Sequence, residues 1–256
     1  MLHSQFAEIL KGIATDTKTL YVMGCFGAPM TVKNKVRYTS NHSYNKSATR
    51  VAMINKASSD TFGFDCAGLI KGVLWGWSGD KSHTYGGAKY ATNNVPDINA
   101  DSIIKACKDV STNFNNIVVG EAVWLPGHIG VYIGNGLVVE CTPSWSNGVQ
   151  ITAVGNIGKK AGYNTRTWSK HGKLPYIDYV ESKWTPSVGD IVDYRGTVHY
   201  ASANATFAIP CRGGKAKITG VYQLGKSKHP YHLVRVTGSG STVYGWVDAG
   251  SFVKAT

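Results

Sequence analysis

The chain has 256 residues, 43% of them hydrophobic, with 7 Trp, 14 Tyr and 7 Phe, which excludes a disordered or low-complexity protein and allows one large domain or two smaller ones. No apolar run approaches the ~18 residues that span a bilayer. The formal net charge is +12, and residues 185–256 hold 8 basic and 3 acidic side chains against 19 and 12 in the rest, so the excess is no basic tail but a spread that suits a polyanionic partner. Nucleic acid, an anionic membrane surface and a teichoic-acid-bearing wall all qualify on charge alone.

The first residues, MLHSQFAEILKGIATDTKTL, lack a basic start followed by a continuous apolar segment, so they predict a short amphipathic helix and no signal peptide. TLYVMGCFGAPMTV is strand-like and broken by Gly24, Gly27 and Pro29. Residues 33–47 are polar and Asn-rich and read as a surface loop. A short helix is predicted at Ala48–Lys56. Another starts at Cys66 and runs through AGLIKGVLWGW, with Gly68 and Gly72 as small contacts against a close neighbour. Residues 78–98 read as loop. INADSIIKACKDV predicts a third helix capped by Asn99 or Asp101. From Gly120 the pattern turns to short alternating strands: EAVWL, HIGVYIG, LVVECT and VQITAV.

Helices followed by an antiparallel sheet give an α+β layer architecture for residues 1–182. A boundary is placed near 181–187, with a second domain over 183–256. There DIVDYRG, HYASANA, AKITGVYQL, YHLVRVTG and VYGWVDAGSFVKA predict about five strands in a small all-β barrel.

The five cysteines are Cys25, Cys66, Cys107, Cys141 and Cys211; the number is odd and no CxxC occurs. A disulfide framework or zinc site is disfavoured, and free thiols fit a reducing compartment. Asp65 followed by Cys66 is a helix start: Asp is a favoured N-cap, and a thiol in the first turn meets orphan N–H groups that lower its pKa. On these residues alone, Cys66 reads either as a buried core thiol or as a nucleophile.

A nucleophile needs a base. Of eight histidines, His128 opens an apolar strand. Alternation puts Ile129, Val131 and Ile133 on one face and His128, Gly130 and Tyr132 on the other, where the glycine leaves room. A third group would orient the imidazole. A two-residue loop at Asn135-Gly136 pairs Val131 with Glu140 and puts Glu140 on the wrong face. A three-residue loop, Gly134-Asn135-Gly136, pairs Gly130 with Glu140, diagonal to His128. An odd-length loop is predicted, because only that makes Glu140 a triad member.

These residues resemble a known family. FDCAGLI is similar to the Asp-Cys-Ser-Gly-Leu-Val signature of NlpC-type cell-wall cysteine peptidases, with Ala67 in place of serine. HIGVYIGNG is similar to that family's histidine strand and turn. TLYVMG resembles the segment before its cysteine, with Met23 replacing tryptophan and 44 residues between Tyr21 and Cys66. The resemblance implies a papain-like domain with Cys66, His128 and Glu140 as catalytic residues, Tyr21 and Asp65 at the substrate and no metal or organic cofactor. It also implies cleavage of peptidoglycan stem peptides, typically at a D-γ-glutamyl bond to a diamino acid.

The C-terminal residues resemble bacterial SH3-like wall-binding domains, in GKAKITGVY, HPYHLVRV and STVYGWVDAGSF. Tyr222, Tyr231, His232, Tyr244 and Trp246 form an aromatic groove for peptide or glycan on this reading, or else barrel core. Together the two resemblances imply a phage- or prophage-type endolysin. Such a protein accumulates in the cytoplasm, is released by a holin and acts on peptidoglycan and anionic wall polymers. An N-acetylmuramoyl-L-alanine amidase and a non-catalytic wall-binding protein are the alternatives. Nucleic-acid binding rests on charge alone, with no helix-turn-helix, zinc finger or basic stripe.

Overall fold

The apolar period at the N-terminus closes into α1, His3–Asp16, whose buried face is Phe6, Ala7, Leu10 and Ile13. The computed structural model describes residues 1–179 and 184–255. The chain divides into two units, Met1–Glu181 and Ser182–Thr256. The boundary drawn from sequence at 182/183 falls among residues outside the described set.

The first unit continues with β1 (Thr19–Tyr21), β2 (Phe26–Pro29), α2 (Val32–Asn41), a 3-10 turn at Ser43–Lys46, α3 (Ala48–Lys56), β3 (Phe62–Phe64), α4 (Cys66–Leu74) and α5 (Ala100–Ala106). It closes with β4 (Lys108–Ser111), β5 (Ala122–Leu125), β6 (His128–Gly134), β7 (Leu137–Thr142), β8 (Gly148–Val154), β9 (Thr165–Arg166) and β10 (Lys170–Lys173). A small sheet runs β1-β3-β2 and a seven-stranded one β4-β10-β5-β6-β7-β8-β9. The larger sheet is antiparallel except for β8 and β9. One core joins Phe6, Leu10, Leu69, Ile70 and Ile103 from the helices to Ile129, Val131 and Val139 of the sheet. Phe114, Val123, Tyr132, Val138, Val154 and Trp168 form a separate cluster. This is a mixed α+β unit, and no helix among the described residues is long and apolar enough to cross a membrane.

Residues 33–47 are not a loop. Most of them form α2, capped by the Thr31 side chain, followed by the 3-10 turn. The only residues of α2 that are buried are Asn34 and Tyr38, so its inward stripe is too narrow and polar to register as a hydrophobic period. Polar bonds take the place of apolar burial: Asn34 Nδ2 donates to the carbonyls of Pro29 at 2.8 Å and Thr84 at 3.1 Å. The long segment between Tyr21 and Cys66 is an excursion between adjacent parallel strands, since Tyr21 pairs with Phe64. The helix predicted through KACKDV stops at Ala106, and Lys108–Ser111 is strand. That from Cys66 ends at Leu74.

The glycines of α4 do what their spacing implied. A Cβ on Gly68 would lie 2.0 Å from the carbonyl oxygen of Cys25, and one on Gly72 2.4 Å from that of Phe26. Backbone of the β1–β2 region therefore lies directly on the helix that presents Cys66. Gly68→Ala is expected to cost about 3 kcal/mol, the upper range for overpacking. Urea unfolding checks this, and a cost under about 1 kcal/mol would contradict the close approach.

The β6–β7 hairpin has the predicted register by another route. Gly130 pairs with Glu140 and Tyr132 with Val138, as the odd-length loop required. Yet Gly134 pairs with Leu137, so the turn itself is Asn135-Gly136, with φ of 53° and 73°. Ile133 is the extra residue of a bulge, and this bulge shifts the register by one.

Among its described residues the second unit has seven strands against the five expected: β11 (Ile191–Tyr194), β12 (Val198–Tyr200), β13 (Ala208–Pro210), β14 (Gly214–Val221), β15 (Tyr231–Arg235), β16 (Tyr244–Val247) and β17 (Phe252–Lys254). They form one sheet in the order β13-β12-β16-β15-β14-β11-β17, with no ladder from β13 to β17 among the described residues. Val192, Ala216, Ile218, Tyr231, Leu233, Val247 and Phe252 make its core.

Candidate active site

The site is assembled from the ends of β3, α4 and β6. β3 delivers Asp65 in extended conformation as the N-cap of α4. One carboxylate oxygen accepts from Gly68 N at 2.5 Å and the other from Gly24 N at 2.7 Å. Asp65 thus fastens the β1–β2 turn to the helix start, and both its oxygens are spent on backbone. Burial pushes its carboxyl above the usual range, against the pull of those two amides.

Cys66 follows in the first turn and is 8% exposed. Its thiol departs from the sequence expectation of a lowered pKa. Burial pushes it up to about 12, and the Asp65 carboxylate adds to the rise. The amides of Ile129, Ala67 and Cys66 itself pull it back without prevailing. At rest the group is a thiol, and the nucleophile forms only when a base removes the proton. The amide that reaches Cys66 belongs to Ile129, the residue after His128, so the start of α4 meets the start of β6.

His128 is half-buried, and its ring stacks on Trp168 with centroids 5.5 Å apart and planes 13° from parallel. Its Nε2 lies 2.6 Å from Glu140 Oε2. Glu140 is fully buried and also accepts from Thr152 Oγ1 at 2.6 Å and from Arg166 Nε at 3.0 and 2.8 Å. Burial works to raise the Glu140 carboxyl, but the hydrogen bonds and charges of His128 and Arg166 outweigh it and hold the group below the usual glutamate value. A carboxylate only accepts, so His128 Nε2 must carry the proton and Nδ1 keeps the basic lone pair.

Tyr21 is 5% exposed, and its hydroxyl donates to Met23 Sδ at 3.7 Å. Burial first, then Cys66 and Asp65, push its phenol upward, so it stays a neutral hydroxyl. The inserted segment holds it there: Arg50 donates to the Tyr21 carbonyl and, at 2.9 Å, to Asn147 Oδ1, with its guanidinium over the Tyr21 ring. Asn45 bonds both the N–H and the carbonyl of Met23. A cleft of about 310 Å³ opens here, lined among others by Tyr21, His42, Asp65, Cys66, Asp97 and Gly127. The insertion therefore supplies a wall of the cleft through His42. Asn99 caps α5, whereas Asp101 accepts from Trp124 Nε1 and Gly127 N and fixes the turn before His128.

Sequence reading missed Arg166, Thr152 and Trp168. Thr152 was open to detection, because Glu140 pairs with Gln150 and Thr152 is in phase with it. Arg166 was not, since it follows a ten-residue connection whose path no pattern specifies.

In the second unit, Tyr231 is core, 4% exposed. Tyr222 and Tyr244 are exposed, and Trp246 sits edge-on to Tyr222 at 6.1 Å and His232 at 5.3 Å. A cavity of about 320 Å³ is lined by Ser202, Ala203, Asn204, Tyr222 and Trp246.

No protein-family model matches the chain, and no curated protein matches it. Among solved structures, it is similar to the crystal structure of the P60 domain of an antigen from M. avium subspecies paratuberculosis, with TM-score 0.37 and 17% identity over 69% of this chain and 96% of that one.

Proposed function

We propose that residues 1–182 form a cysteine peptidase acting on peptidoglycan stem peptides. The observation that carries the reading is the 2.6 Å bond from His128 Nε2 to the buried Glu140, together with a cysteine that starts a helix, borders a cleft and is reached by the amide of Ile129, the residue after His128. His128 Nδ1 takes the proton from Cys66 as sulfur attacks the carbonyl. The Cys66 backbone N–H, unpaired within the first turn of α4, is suited to the oxyanion. The C–N bond breaks, and His128 returns the proton to the leaving amine. Water, deprotonated by His128, then hydrolyses the thioester, releasing a carboxylate and the free thiol.

The favoured bond, from the motif resemblance, joins D-γ-glutamate to a diamino acid. The net charge of +12 suits anionic wall polymers, and the aromatic cavity at Tyr222 and Trp246 suits an SH3-like wall-binding role for residues 183–256. Release from a host cytoplasm as a phage-type endolysin completes the proposal.

Purified walls digested with wild type and with Cys66→Ala, followed by mass analysis, test it. The expected product carries a new amino terminus on the diamino acid, only with wild type. A free L-alanine amino terminus instead would make the enzyme an amidase. No product from either protein would leave a wall-binding protein without catalysis.

A further inference from the structure

Glu140 is an acceptor surrounded by donors. His128, Thr152 and Arg166 approach its two oxygens, which fills the roughly four acceptor sites of a carboxylate. Arg166 is itself held. Its guanidinium lies 4.8 Å from the Trp145 ring centre and 5.7 Å from that of Trp168, and Nη2 donates to Thr142 Oγ1 at 3.4 Å. Trp168 is also the ring on which His128 stacks, so one indole carries both the imidazole and the guanidinium.

A buried carboxylate whose only counter-charge is an imidazole favours the imidazolium, and a permanent imidazolium is no base. A cation on the same carboxylate removes that bias. Arg166 is a permanent cation on Glu140, so the carboxylate has a counter-charge that does not depend on the imidazole. The titratable and charged groups on His128 are Glu140 from β7 and Arg166 from β9 through it; Cys66 of α4 is reached by the amide of the next residue, Ile129, Cys141 of β7 adjoins Glu140, and Asp101 of α5 and Lys170 of β10 lie at the β5–β6 turn. We propose that Arg166 is a positioning residue for His128: it neutralises Glu140 and fixes its plane, so that Glu140 orients the imidazole without holding it protonated. This rests on the reading of Cys66 and His128 as the catalytic pair.

The test is an NMR titration of His128 in the full-length Cys66→Ala protein, with kcat and KM measured in the Cys66 parent. Arg166→Met is expected to raise the His128 midpoint by about 1 unit, the lower range for one nearby charge. Glu140→Gln leaves the cation alone and is expected to lower it. Adding Arg166→Met to Glu140→Gln is expected to raise it again by about 1 unit, and this second comparison decides if Arg166→Met alone does not fold. Arg166→Lys keeps the charge but loses the Nε–H fork. There the midpoint stays within about 0.5 unit of wild type while kcat falls about tenfold at constant KM. A midpoint unmoved by losing Arg166 in the foldable comparison, or an unchanged kcat in Arg166→Lys, overturns the proposal. If the midpoints move as expected but Cys66→Ala keeps full activity, the charge balance stands and the catalytic-pair reading falls.

Discussion

Cys66→Ala is expected to lower stem-peptide cleavage by at least about 10³-fold while the protein stays folded. Removing the nucleophile from a catalytic unit costs nearly as much as removing the whole unit, because the other members act only through it. The structural cost is small by comparison. Cys66 is buried and its thiol meets the amide of Ile129, but the two amides that fasten the helix start are bonded by Asp65. A loss of about 1 kcal/mol moves Tm by roughly 2–4 °C in a chain of this size. Zymography and differential scanning calorimetry on the same preparation separate the two effects. Activity within tenfold of wild type would exclude Cys66 as the nucleophile.

Glu140→Ala is expected to fail in both respects. The His128 Nε2–H, the Thr152 hydroxyl and the Arg166 Nε–H all lose this acceptor, and the partly buried cation loses its counter-charge, keeping only Thr142 Oγ1 and the rings of Trp145 and Trp168. Breaking a buried pair in this way costs about 3–5 kcal/mol. The imidazole also loses the bond that fixes its tautomer, an effect on the order of 10⁴ in turnover. The pH dependence follows in sign. The folded-state carboxyl is held below its usual value, so its contribution is full above the unfolded glutamate pKa and is lost as pH falls through the lower folded one. Urea midpoints between pH 7 and pH 3 should therefore fall more steeply for wild type than for Glu140→Ala. Parallel curves would contradict this role.

The residues of the candidate site were legible where chemistry is local. Asp65 as cap, the close approach at Gly68 and Gly72 and the shared face of His128 and Glu140 each depend on a few neighbouring residues. The hairpin shows the limit of even that reasoning, because the register came from a bulge at Ile133 and not from loop length. Depth was not legible. A helix start lowers a thiol pKa in proportion to its orphan amides, but the sequence does not show how far Cys66 lies from water, and burial won. Polar stripes were illegible too: α2 is held by Asn34 and Tyr38, which read as loop residues. Arg166 joins Glu140 across a connection without pattern, from a strand of two residues.

In the proposed mechanism His128 activates a Cys66 thiol that burial otherwise keeps protonated. The most direct measurement is the rate of iodoacetamide alkylation of Cys66 against pH, located by mass spectrometry, in wild type and His128→Ala. Wild type is expected to be modified at Cys66 at neutral pH, while the buried thiols of Cys25, Cys107 and Cys141 stay intact. In His128→Ala the rate at neutral pH falls at least about 100-fold. It recovers only as pH climbs toward the raised thiol pKa of about 12. Equal rates in the two proteins at neutral pH would contradict it.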